Sequence, residues 1–292
     1  MVITDDLALA VDIGGTKLAV ARVDRRGRLR DRRAVATPRE GTAEDVWATL
    51  AELVSSVRRG DEAVVGVGCG GPMAPGGVSV SPLNVPAWRG FPLRDRLAAL
   101  TGLPVHIDND AKALALGEGW TGAARGVDNY IAMVVSTGVG GGIVLDGRLL
   151  DGEAGNAGHI GHVIVEPGGR TCPCGARGCL EAEASGPSIR AATGADPADA
   201  GEDVRRRVGT LVGRGVASVA NLLDLRLAVV AGSVALGFGE TFFAAAQAEL
   251  DARARISFAR GARIVPAGLG DAGPLVGAAA VGWRGVGGLG GR

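Results

Sequence analysis

The sequence predicts an α/β protein made of two similar domains, and three observations support this fold class. An alternating apolar strand, a glycine-rich turn that carries a threonine, and a second strand occur near the N-terminus and again after residue 130. Segments with apolar residues at helical spacing follow both hairpins. The length of 292 residues is sufficient for two hydrophobic cores. The repeated order favours a duplicated α/β domain.

The first half of the chain alternates strand patterns with helix patterns. The first strand ends at a pair of glycines, which allow the backbone to turn tightly. Thr42 is a typical N-cap ahead of apolar residues at helical spacing. Expected strands are 7–13, 18–23, 29–36, 63–68 and 105–107, and expected helices are 42–59, 93–100 and 109–120.

The second half repeats this order in outline. A strand runs into a second glycine-rich turn, another strand continues from it, and long segments with helical periodicity follow. Expected strands are 130–136, 142–145 and 227–230, and expected helices are 202–223, 241–254 and 273–282.

Composition and charge exclude several classes of function. The 31 Lys and Arg residues balance the 31 Asp and Glu residues, so no overall field attracts nucleic acid or an anionic membrane. The apolar runs are too short to span a bilayer, and the first residues lack the pattern of a signal peptide. Four cysteines, three of them between residues 172 and 179, suit a metal site in a reducing compartment. We therefore expect a cytoplasmic protein with neither nucleic acid nor membrane as a partner.

Three glycine turns are candidates for binding phosphate and adenosine. Glycine lets backbone N–H groups approach phosphate oxygens, and Asp12, at the end of the first strand, is placed to hold Mg²⁺. None of the turns has the spacing of a Walker A or Rossmann motif, and an ordinary hairpin explains any one of them alone. Together they favour two domains that close on a nucleotide. The candidate residues are Asp12, Gly14, Gly15, Thr16 and Lys17 in the first turn, Thr137, Gly138 and Gly140 in the second, and Gly232 and Ser233 in the third.

The segment Asp108-Asn109-Asp110 follows an apolar strand and begins an expected helix. One interpretation is that Asp110 caps the helix, a role that Asp fills well. The other is that Asp110 is a general base that orients a hydroxyl toward a γ-phosphate, since phosphoryl transfer needs one carboxylate in this position. The segment taken alone favours the cap.

A cluster of metal-ligating residues lies between residues 159 and 181. Three cysteines and a histidine within about twenty residues form a Cys₃His set that is typical of a closed structural Zn²⁺ site. Such a site would order a loop rich in glycine and proline. The alternatives are incidental thiols or a redox pair, but a C-x-x-C motif is absent. The expected ligands are His162, Cys172, Cys174 and Cys179, with His162 preferred over His159 because it is nearer to the cysteines.

The motifs DIGGTK, DNDA, STGVGGG, AGHIGH and CPCGARGCLE occur in this order, and with them the chain closely resembles the ROK family of bacterial sugar kinases and repressors. The resemblance extends from Asp12 to about Gly277. It implies two actin- or hexokinase-like (ribonuclease H-like) α/β domains around a nucleotide and sugar cleft, with a zinc-bound loop. It also implies ATP-dependent phosphorylation of a hexose, usually at the 6-hydroxyl, with Mg²⁺ and a homodimer or homotetramer.

The domain organisation follows from the motifs and this resemblance. We expect a small domain formed by residues 1–108 with about 281–292. Residues 109–280 form the expected large domain, which carries the zinc loop at 159–181.

The family pattern also assigns roles to individual positions. Asp110 matches the catalytic base, His162 the residue that links zinc to the sugar site, and Glu181 the acid that the zinc loop presents to the sugar. Asn84 and Asn109 match sugar ligands, and Gly71 matches an adjacent backbone contact. The resulting substrate-binding set is Gly71, Asn84, Asn109, Asp110, His159, His162 and Glu181.

Two positions depart from the family pattern. Lys112 stands where Asn or Gln usually follows the NDA motif, and His159 stands where glucokinases of the family usually carry Glu. A carboxylate accepts hydrogen bonds from two sugar hydroxyls, whereas a neutral imidazole offers one acceptor and one donor. A sugar with a 2-acetamido group has one hydroxyl fewer, and AGHIGH resembles bacterial N-acetylmannosamine kinases. We therefore expect an N-acylhexosamine substrate, with N-acetylmannosamine favoured.

Three competing functions remain to be compared with this one. A repressor of the same family carries a helix-turn-helix ahead of the kinase-like body, and here the phosphate motif begins at Asp12. A sugar sensor without catalysis is disfavoured because the candidate acidic residues are all present. A glucokinase is disfavoured by His159 and remains the nearest alternative.

Overall fold

The computed structural model describes residues 6–289, which form two compact units. The first unit contains residues 6–122, 151–155 and 269–289, and the second contains 123–150 and 156–268. The strands are β1 (Leu7–Ile13), β2 (Lys17–Asp24), β3 (Leu29–Ala36), β4 (Glu62–Cys69), β5 (Val105–Asn109), β6 (Tyr130–Val135), β7 (Val139–Leu145), β8 (Arg148–Leu149), β9 (Leu227–Ala231) and β10 (Arg263–Pro266). The α-helices are α1 (Ala43–Val57), α2 (Leu93–Thr101), α3 (Asp110–Thr121), α4 (Leu180–Ala184), α5 (Gly186–Thr193), α6 (Glu202–Leu223), α7 (Ser233–Arg253) and α8 (Gly273–Gly285).

Each unit contains a five-stranded sheet, and the two sheets have the same topology. The first has the order β3-β2-β1-β4-β5, and the second, written from the same edge, has the order β8-β7-β6-β9-β10. In both, the three strands of a meander are antiparallel and the last two strands are parallel to the first strand of that meander. The predicted α/β class is confirmed, and the hairpins that suggested a duplication are equivalent in the two sheets.

The sheet of the first unit is covered on both faces, but with different residues. Large apolar side chains such as Leu9 and Ile13 pack with those of α1 and with Trp88 and Phe91. On the opposite face alanines such as Ala8 and Ala10 pack against α8. The helix approaches so closely that a Cβ at Gly66 would lie 2.0 Å from the carbonyl oxygen of Ala278. Glycine is therefore required there for the helix to lie on the sheet.

The bounds of the compact units differ from the expected domain limits at 108/109 and 280/281. Helix α3 belongs to the first unit because it packs along α8, where a Cβ at Gly117 would lie 3.0 Å from the Cα of Gly277. The residues that complete α8 belong to the first unit for the same reason. Residues 290–292 of the expected small domain lie outside the described residues.

The core of the second unit lies between its sheet and the helices α6 and α7. These helices are in direct backbone contact, since a Cβ at Gly213 would lie 2.2 Å from the carbonyl oxygen of Ala246. Around them pack Ile131, Met133, Val212, Val230 and Phe242, all fully buried.

Several elements of the second unit differ from the sequence prediction. Helix α7 begins at Ser233 rather than at residue 241, and it consists of two helical segments separated by a kink at Gly239, where the backbone is not helical (φ 60°, ψ −142°). The expected helix from residue 241 corresponds to the second segment, and the first segment was not predicted. Strand β7 begins at Val139 rather than at 142, since its glycines are part of the strand. A Cβ at Gly141 would lie 3.0 Å from the carbonyl oxygen of Gly158, so a close chain approach explains this composition. Helices α4 and α5 and strand β10 were not predicted.

Within residues 6–289, the helices are all too short or too polar to cross a lipid bilayer.

Candidate active site and metal centre

The first glycine turn connects β1 with β2 and is held in shape by its neighbours. Gly14 donates its N–H to the carbonyl of Lys17 at 3.0 Å, and its own carbonyl accepts from the Thr37 hydroxyl at 2.7 Å. A Cβ at Gly15 would lie 2.7 Å from the Cβ of Asn84. Thr16 and the Lys17 ammonium group are exposed beside this turn. The arrangement offers backbone and side-chain donors to an anion.

Asp12 precedes this turn, and its electrostatic environment is unusual. Burial and the nearby Asp110 carboxylate raise the pKa of Asp12 to about 7, while Lys17 and Arg32 oppose the shift. Two carboxylates from the ends of β1 and β5 therefore repel each other in this site. A divalent cation relieves such repulsion, so the pair suits a magnesium-bound phosphate.

Asp110 is the first residue of α3 and is exposed, whereas its neighbour Asn109 is half-buried. The side chain of Asn109 is the N-cap, since its Oδ1 accepts from the N–H of Ala111 at 3.0 Å. Asp110 also accepts from this N–H, at 2.8 Å, from within the first turn of the helix. The cap interpretation, which the segment alone favoured for Asp110, applies to Asn109 instead. The Asp110 carboxylate is thus left at the exposed end of the helix.

Asn84 and Gly71 lie beside the same group of residues. A Cβ at Gly70 would lie 3.2 Å from Oδ1 of Asn84, and a Cβ at Gly71 would lie 3.8 Å from Nδ2 of Asn109. The carbonyl of Gly71 accepts from the N–H of Leu83. The structure therefore brings both asparagine amides close to the glycine turn after β4.

Lys112, which the sequence left without a role, is almost fully enclosed in the first turn of α3, two residues after Asp110. Its ammonium lies 3.2 Å from a carboxylate oxygen of Asp108 and 2.7 Å from one of Asp151. Arg284 pairs with Asp151 at 2.6 Å from the other side. The spacing of Asp108 and Lys112, four residues apart, is the one local signal of this cluster. Asp151 and Arg284 are far from Lys112 in the chain, and no local motif connects them with it.

The second glycine turn, between β6 and β7, is connected to Glu181 and Ser233. The N–H of Ser136 donates to the carbonyl of Gly138, and the Ser136 and Ser233 hydroxyls are 2.9 Å apart. Oε2 of Glu181 accepts from the N–H of Val139 at 2.9 Å. A Cβ at Gly138 would lie 2.9 Å from this carboxylate oxygen, so the glycine permits the contact. Glu181 thus holds the turn in place through the N–H of Val139. The sequence predicted a contact of Glu181 with a sugar and did not predict this one.

A cavity of about 340 Å³ in the second unit adjoins this turn and the start of α7. At Gly232 the backbone has a φ of 102°, and a Cβ would lie 2.3 Å from the carbonyl oxygen of Val135. Glycine is therefore needed where β9 passes into α7. The size of the cavity suits a small organic ligand. Its lining includes Ser136, Thr137, Arg190, Asp196, Ser233 and Phe238.

Two of these lining residues, Arg190 and Asp196, form an ion pair at 2.5 Å on the exposed side of the cavity. The guanidinium of Arg205 lies 5.5 Å from the ring of Phe238. The sequence did not predict these residues, because they come from α5, the following loop and the unpredicted first turns of α7.

The predicted metal ligands come together as one cluster. The ligand atoms of His162, Cys172, Cys174 and Cys179 all lie within 4.8 Å of one another. Nδ1 of His162 is 3.8 Å from the Cys172 sulfur, and the sulfurs of Cys174 and Cys179 are 3.6 Å apart. A tetrahedral Zn²⁺ with bonds of about 2.3 Å to sulfur separates its sulfur ligands by about 3.8 Å. The donor set and its spacing therefore fit Zn²⁺.

The chain around the cluster is ordered by short hydrogen-bonded turns. The N–H of Cys172 donates to the carbonyl of Ala176, and that of Gly175 donates to Cys172. Cys179 itself forms an antiparallel bridge with Ile164 and is buried directly ahead of α4. Burial raises the pKa of the Cys179 thiol. A bound divalent metal would lower this pKa again, because it stabilises the thiolate. Cys69, the fourth cysteine, is far from the cluster in the chain and is buried in β4 among apolar residues.

The two histidines differ in which ring nitrogen is engaged. Nδ1 of His162 faces the sulfur cluster, so a neutral metal-bound ring carries its proton on Nε2. Nδ1 of His159 lies 2.8 Å from the carbonyl oxygen of Asn156, which accepts a hydrogen bond. A neutral His159 ring therefore has its lone pair on Nε2. His162 would present a donor, and His159 an acceptor.

The structure thus groups the predicted site residues in each unit by itself. In the first unit these are Asp12, Gly14, Gly15, Thr16, Lys17, Gly71, Asn84, Asn109 and Asp110, and in the second they are Thr137, Gly138, Gly140, His159, His162, Cys172, Cys174, Cys179, Glu181, Gly232 and Ser233.

Comparison with known proteins agrees with this arrangement. The pattern of the ROK family matches residues 8–283. The N-acetylmannosamine kinase of Citrobacter koseri is 40% identical over 246 residues, which cover 79% of this chain and 84% of that protein. The glucokinase of Thermotoga maritima is 45% identical over 185 residues, which cover 62% of this chain and 58% of the relative. The glucokinase of Streptomyces griseus, solved with glucose and AMPPNP, superposes with a TM-score of 0.80 at 32% identity, covering 95% of this chain and 99% of that one.

The fold and the site define a two-unit α/β protein with paired glycine turns and a Cys₃His cluster. The chain belongs to the ROK family. The family predicted from its motifs is therefore confirmed.

Proposed function

We propose that this ROK protein is an ATP-dependent sugar kinase that phosphorylates the 6-hydroxyl of a hexose or N-acylhexosamine, with N-acetylmannosamine preferred. The observation that carries the proposal is the carboxylate pair at the ends of β1 and β5, with Asp12 behind a glycine turn and Asp110 exposed at the start of α3. Relatives named as sugar kinases align with most of the chain, which supports the same activity.

Asp110 is the proposed catalytic base. Its carboxylate accepts the proton of the 6-hydroxyl while the sugar oxygen forms a bond to the γ-phosphorus, and the bond from that phosphorus to the β,γ-bridging oxygen breaks. ADP and the sugar 6-phosphate result, and Asp110 returns the proton to solvent. Asn109 and Asn84 are assigned to the sugar hydroxyls, because their amides lie beside the glycine turn after β4.

The nucleotide is assigned to the glycine turns and to the cavity of the second unit. Gly14 to Lys17 and Thr137 to Gly138 supply donors for phosphate oxygens, and the cavity beside Ser233 has the size for an adenosine. Asp12 would hold Mg²⁺, directly or through water, and the cation neutralises charge on the transferred phosphate. The raised pKa of Asp12 supports this assignment, because a cation restores its charged form.

The preference for an N-acylated sugar rests on His159 and His162. With its Nδ1–H donated to Asn156, His159 offers one acceptor, which suits the single N–H of an acetamido group. The Nε2–H of a metal-bound His162 offers one donor to a hydroxyl or carbonyl oxygen. A glutamate at position 159 would instead accept from two hydroxyls, as a 2-hydroxy sugar requires.

Zn²⁺ is the metal that we assign to the Cys₃His cluster, on the spacing of its four ligand atoms. His162, Cys172, Cys174 and Cys179 would hold it, and the bound metal would fix the orientation of the His162 ring. A reducing compartment such as the cytoplasm would keep these thiols available. A homodimer or homotetramer stays a prediction, which sedimentation analysis would test.

Glucokinase activity is the second candidate. It is favoured by the 45% identity to the glucokinase of Thermotoga maritima, although that alignment covers 58% of the relative. Because the two candidates differ only in the sugar, one assay separates them.

The test is an ADP-release assay with Mg-ATP over glucose, mannose, fructose, allose, N-acetylglucosamine and N-acetylmannosamine. We expect the largest kcat/KM with N-acetylmannosamine. A larger value with glucose would establish the second candidate, and no turnover with any of the six sugars would refute the kinase proposal.

A further inference from the structure

Lys112 is the centre of an enclosed charge cluster in the first unit. Its side chain is 4% exposed, and its ammonium contacts carboxylate oxygens of Asp108 at 3.2 Å and Asp151 at 2.7 Å. It also donates to the carbonyl of Gly155 at 3.2 Å. An ammonium group has three N–H donors, and here each has an acceptor. The site around Lys112 therefore matches the hydrogen-bonding capacity of a lysine.

Arg284 of α8 completes the cluster. Its guanidinium lies 2.6 Å from Asp151 and 3.4 Å from Asp108, so two cations and two carboxylates balance. Burial raises the pKa of Asp108, against the opposing effect of Lys112. For Asp151, the hydrogen bonds from Arg284 and Lys112 outweigh burial and lower the pKa. Removal of Lys112 would leave Asp108, the more deeply buried carboxylate, with a single cation, Arg284 at 3.4 Å.

The cluster joins two segments that both carry proposed substrate contacts. Asp108 accepts from the N–H of Asn109 at 2.8 Å, directly ahead of Asp110. Asp151 and Gly155 bound the short segment 151–155, which belongs to the first unit although the chain before and after it belongs to the second. Four residues after Gly155 the chain reaches His159.

We propose that Lys112 is a positioning residue for sugar recognition. Through Asp151 and Gly155 it fixes the start of the segment that carries His159, and through Asp108 it fixes the turn that carries Asn109 and Asp110. This inference rests on the proposed sugar kinase function.

If Lys112 positions the sugar-binding segment, its loss should affect the KM values of the two substrates differently. Loss of the ammonium should weaken sugar binding, because the segment before His159 loses two of its attachments. The nucleotide turns at Gly14 to Lys17 and at Ser136 to Gly138 are held by other hydrogen bonds. The KM for the sugar should therefore change more than the KM for ATP.

The test compares Lys112→Met and Asp151→Asn with wild type and with Arg22→Met. Lys112→Met keeps the length of the side chain and removes its charge, and Asp151→Asn alters a half-exposed residue that tolerates substitution more readily. Arg22→Met is the matched control, since Arg22 is also an enclosed cation that pairs with carboxylates, those of Asp31, Asp61 and Glu62, in the same unit. The measurements are amide hydrogen exchange of residues 151–162, and kcat and KM for both substrates.

We expect faster exchange of residues 151–162 in Lys112→Met and Asp151→Asn, with the sugar KM raised about tenfold and the ATP KM within about twofold. Arg22→Met should lower thermal stability and leave both the exchange of this segment and the sugar KM unchanged. Unchanged exchange in both test variants, or faster exchange with an unchanged sugar KM, would overturn the positioning role. If wild type phosphorylates no sugar, the kinase proposal fails, while hydrogen exchange still decides whether Lys112 orders the segment.

Discussion

The two units share one sheet topology, yet they hold their candidate functional groups by different means. In the first unit, acidic and amide side chains lie at the ends of β1 and β5. Close glycine contacts and buried ion pairs fix the backbone at these strand ends. In the second, the corresponding hairpin is followed by β8, which has two residues, and by a loop with four metal-ligating atoms within 4.8 Å. In the proposed function, the first unit accordingly supplies the carboxylate pair and two amides for the sugar, and the second supplies the adenosine cavity and the two histidines.

The two glycine turns show the same contrast at close range. The turn after β1 has the repelling carboxylates Asp12 and Asp110 beside it and exposes Lys17. The turn after β6 has one carboxylate, Glu181, already occupied by the N–H of Val139. The two hairpins therefore have the same place in their sheets, while the charged groups beside them have different partners.

The largest expected effect tests the chemical role of the first unit. Replacing Asp110→Asn removes the base and keeps the size of the side chain, so kcat should fall about a thousandfold, as expected for loss of general base catalysis. The dissociation constant of the sugar, measured by calorimetry, should change little. A variant that retains more than a tenth of the wild-type kcat would assign the base to another residue.

The next effect concerns the metal cluster of the second unit. Elemental analysis should find one zinc ion per chain in the wild type and less than one in Cys172→Ser. The sugar KM of Cys172→Ser should rise about 10- to 100-fold, because the orientation of His162 is lost. Cys69→Ala alters a buried thiol outside the cluster and should retain the zinc. Wild-type protein without zinc would contradict the assignment of the metal.

A smaller effect is expected at His159, where the comparison predicts selectivity without a change in chemistry. His159→Glu restores a double acceptor and should shift the ratio of kcat/KM for glucose over N-acetylmannosamine about tenfold toward glucose, which is about 1.4 kcal/mol. The kcat on the better substrate should stay similar. An unchanged ratio would remove His159 from the determinants of the sugar.

The last effect concerns stability rather than kinetics and comes from Asp12. Its folded pKa of about 7 lies above the ordinary 3.8, so the folded state binds the proton more tightly than the unfolded chain. The cost of ionising Asp12 is therefore complete above pH 7 and is relieved as the pH falls toward 4, with an upper bound of about 4 kcal/mol.

Thermal melting without Mg²⁺ checks this sign. Asp12→Asn should melt a few degrees higher than wild type at pH 8, and the difference should shrink by pH 5. A constant difference between these pH values would show that the Asp12 carboxyl is not perturbed by burial and Asp110.

Local patterns in the sequence predicted much of the fold and of the metal centre. The β1–β2 hairpin and the Cys₃His cluster depend on residues close in the chain, so their spacing carries the information. The first segment of α7 was missed because Gly237 and Gly239 are poor helix formers, and at Gly239 the backbone does leave the helical conformation.

Contacts between distant parts of the chain could not be predicted in this way. Lys112 meets Asp151 because the fold places the segment 151–155 beside it, and Arg284 of α8 reaches the same carboxylate, and neither contact leaves a periodic pattern in the sequence. The same holds for the cavity lined by Arg190 and Phe238, whose walls come from three separate segments.

The glycine contacts of α8 have a further consequence for how precisely Asp110, the proposed base, is positioned. Helix α3, which begins at Asp110, meets α8 at Gly117 and Gly277, and α8 meets β4 at Gly66. Backbone atoms have no side-chain rotamers, so β4, α8 and α3 can pack against one another in few alternative ways. Asp110 thus begins a helix that is held on α8, and through α8 on the sheet, by backbone contacts. We therefore expect smaller positional fluctuations for Asp110 than for groups held through long side chains.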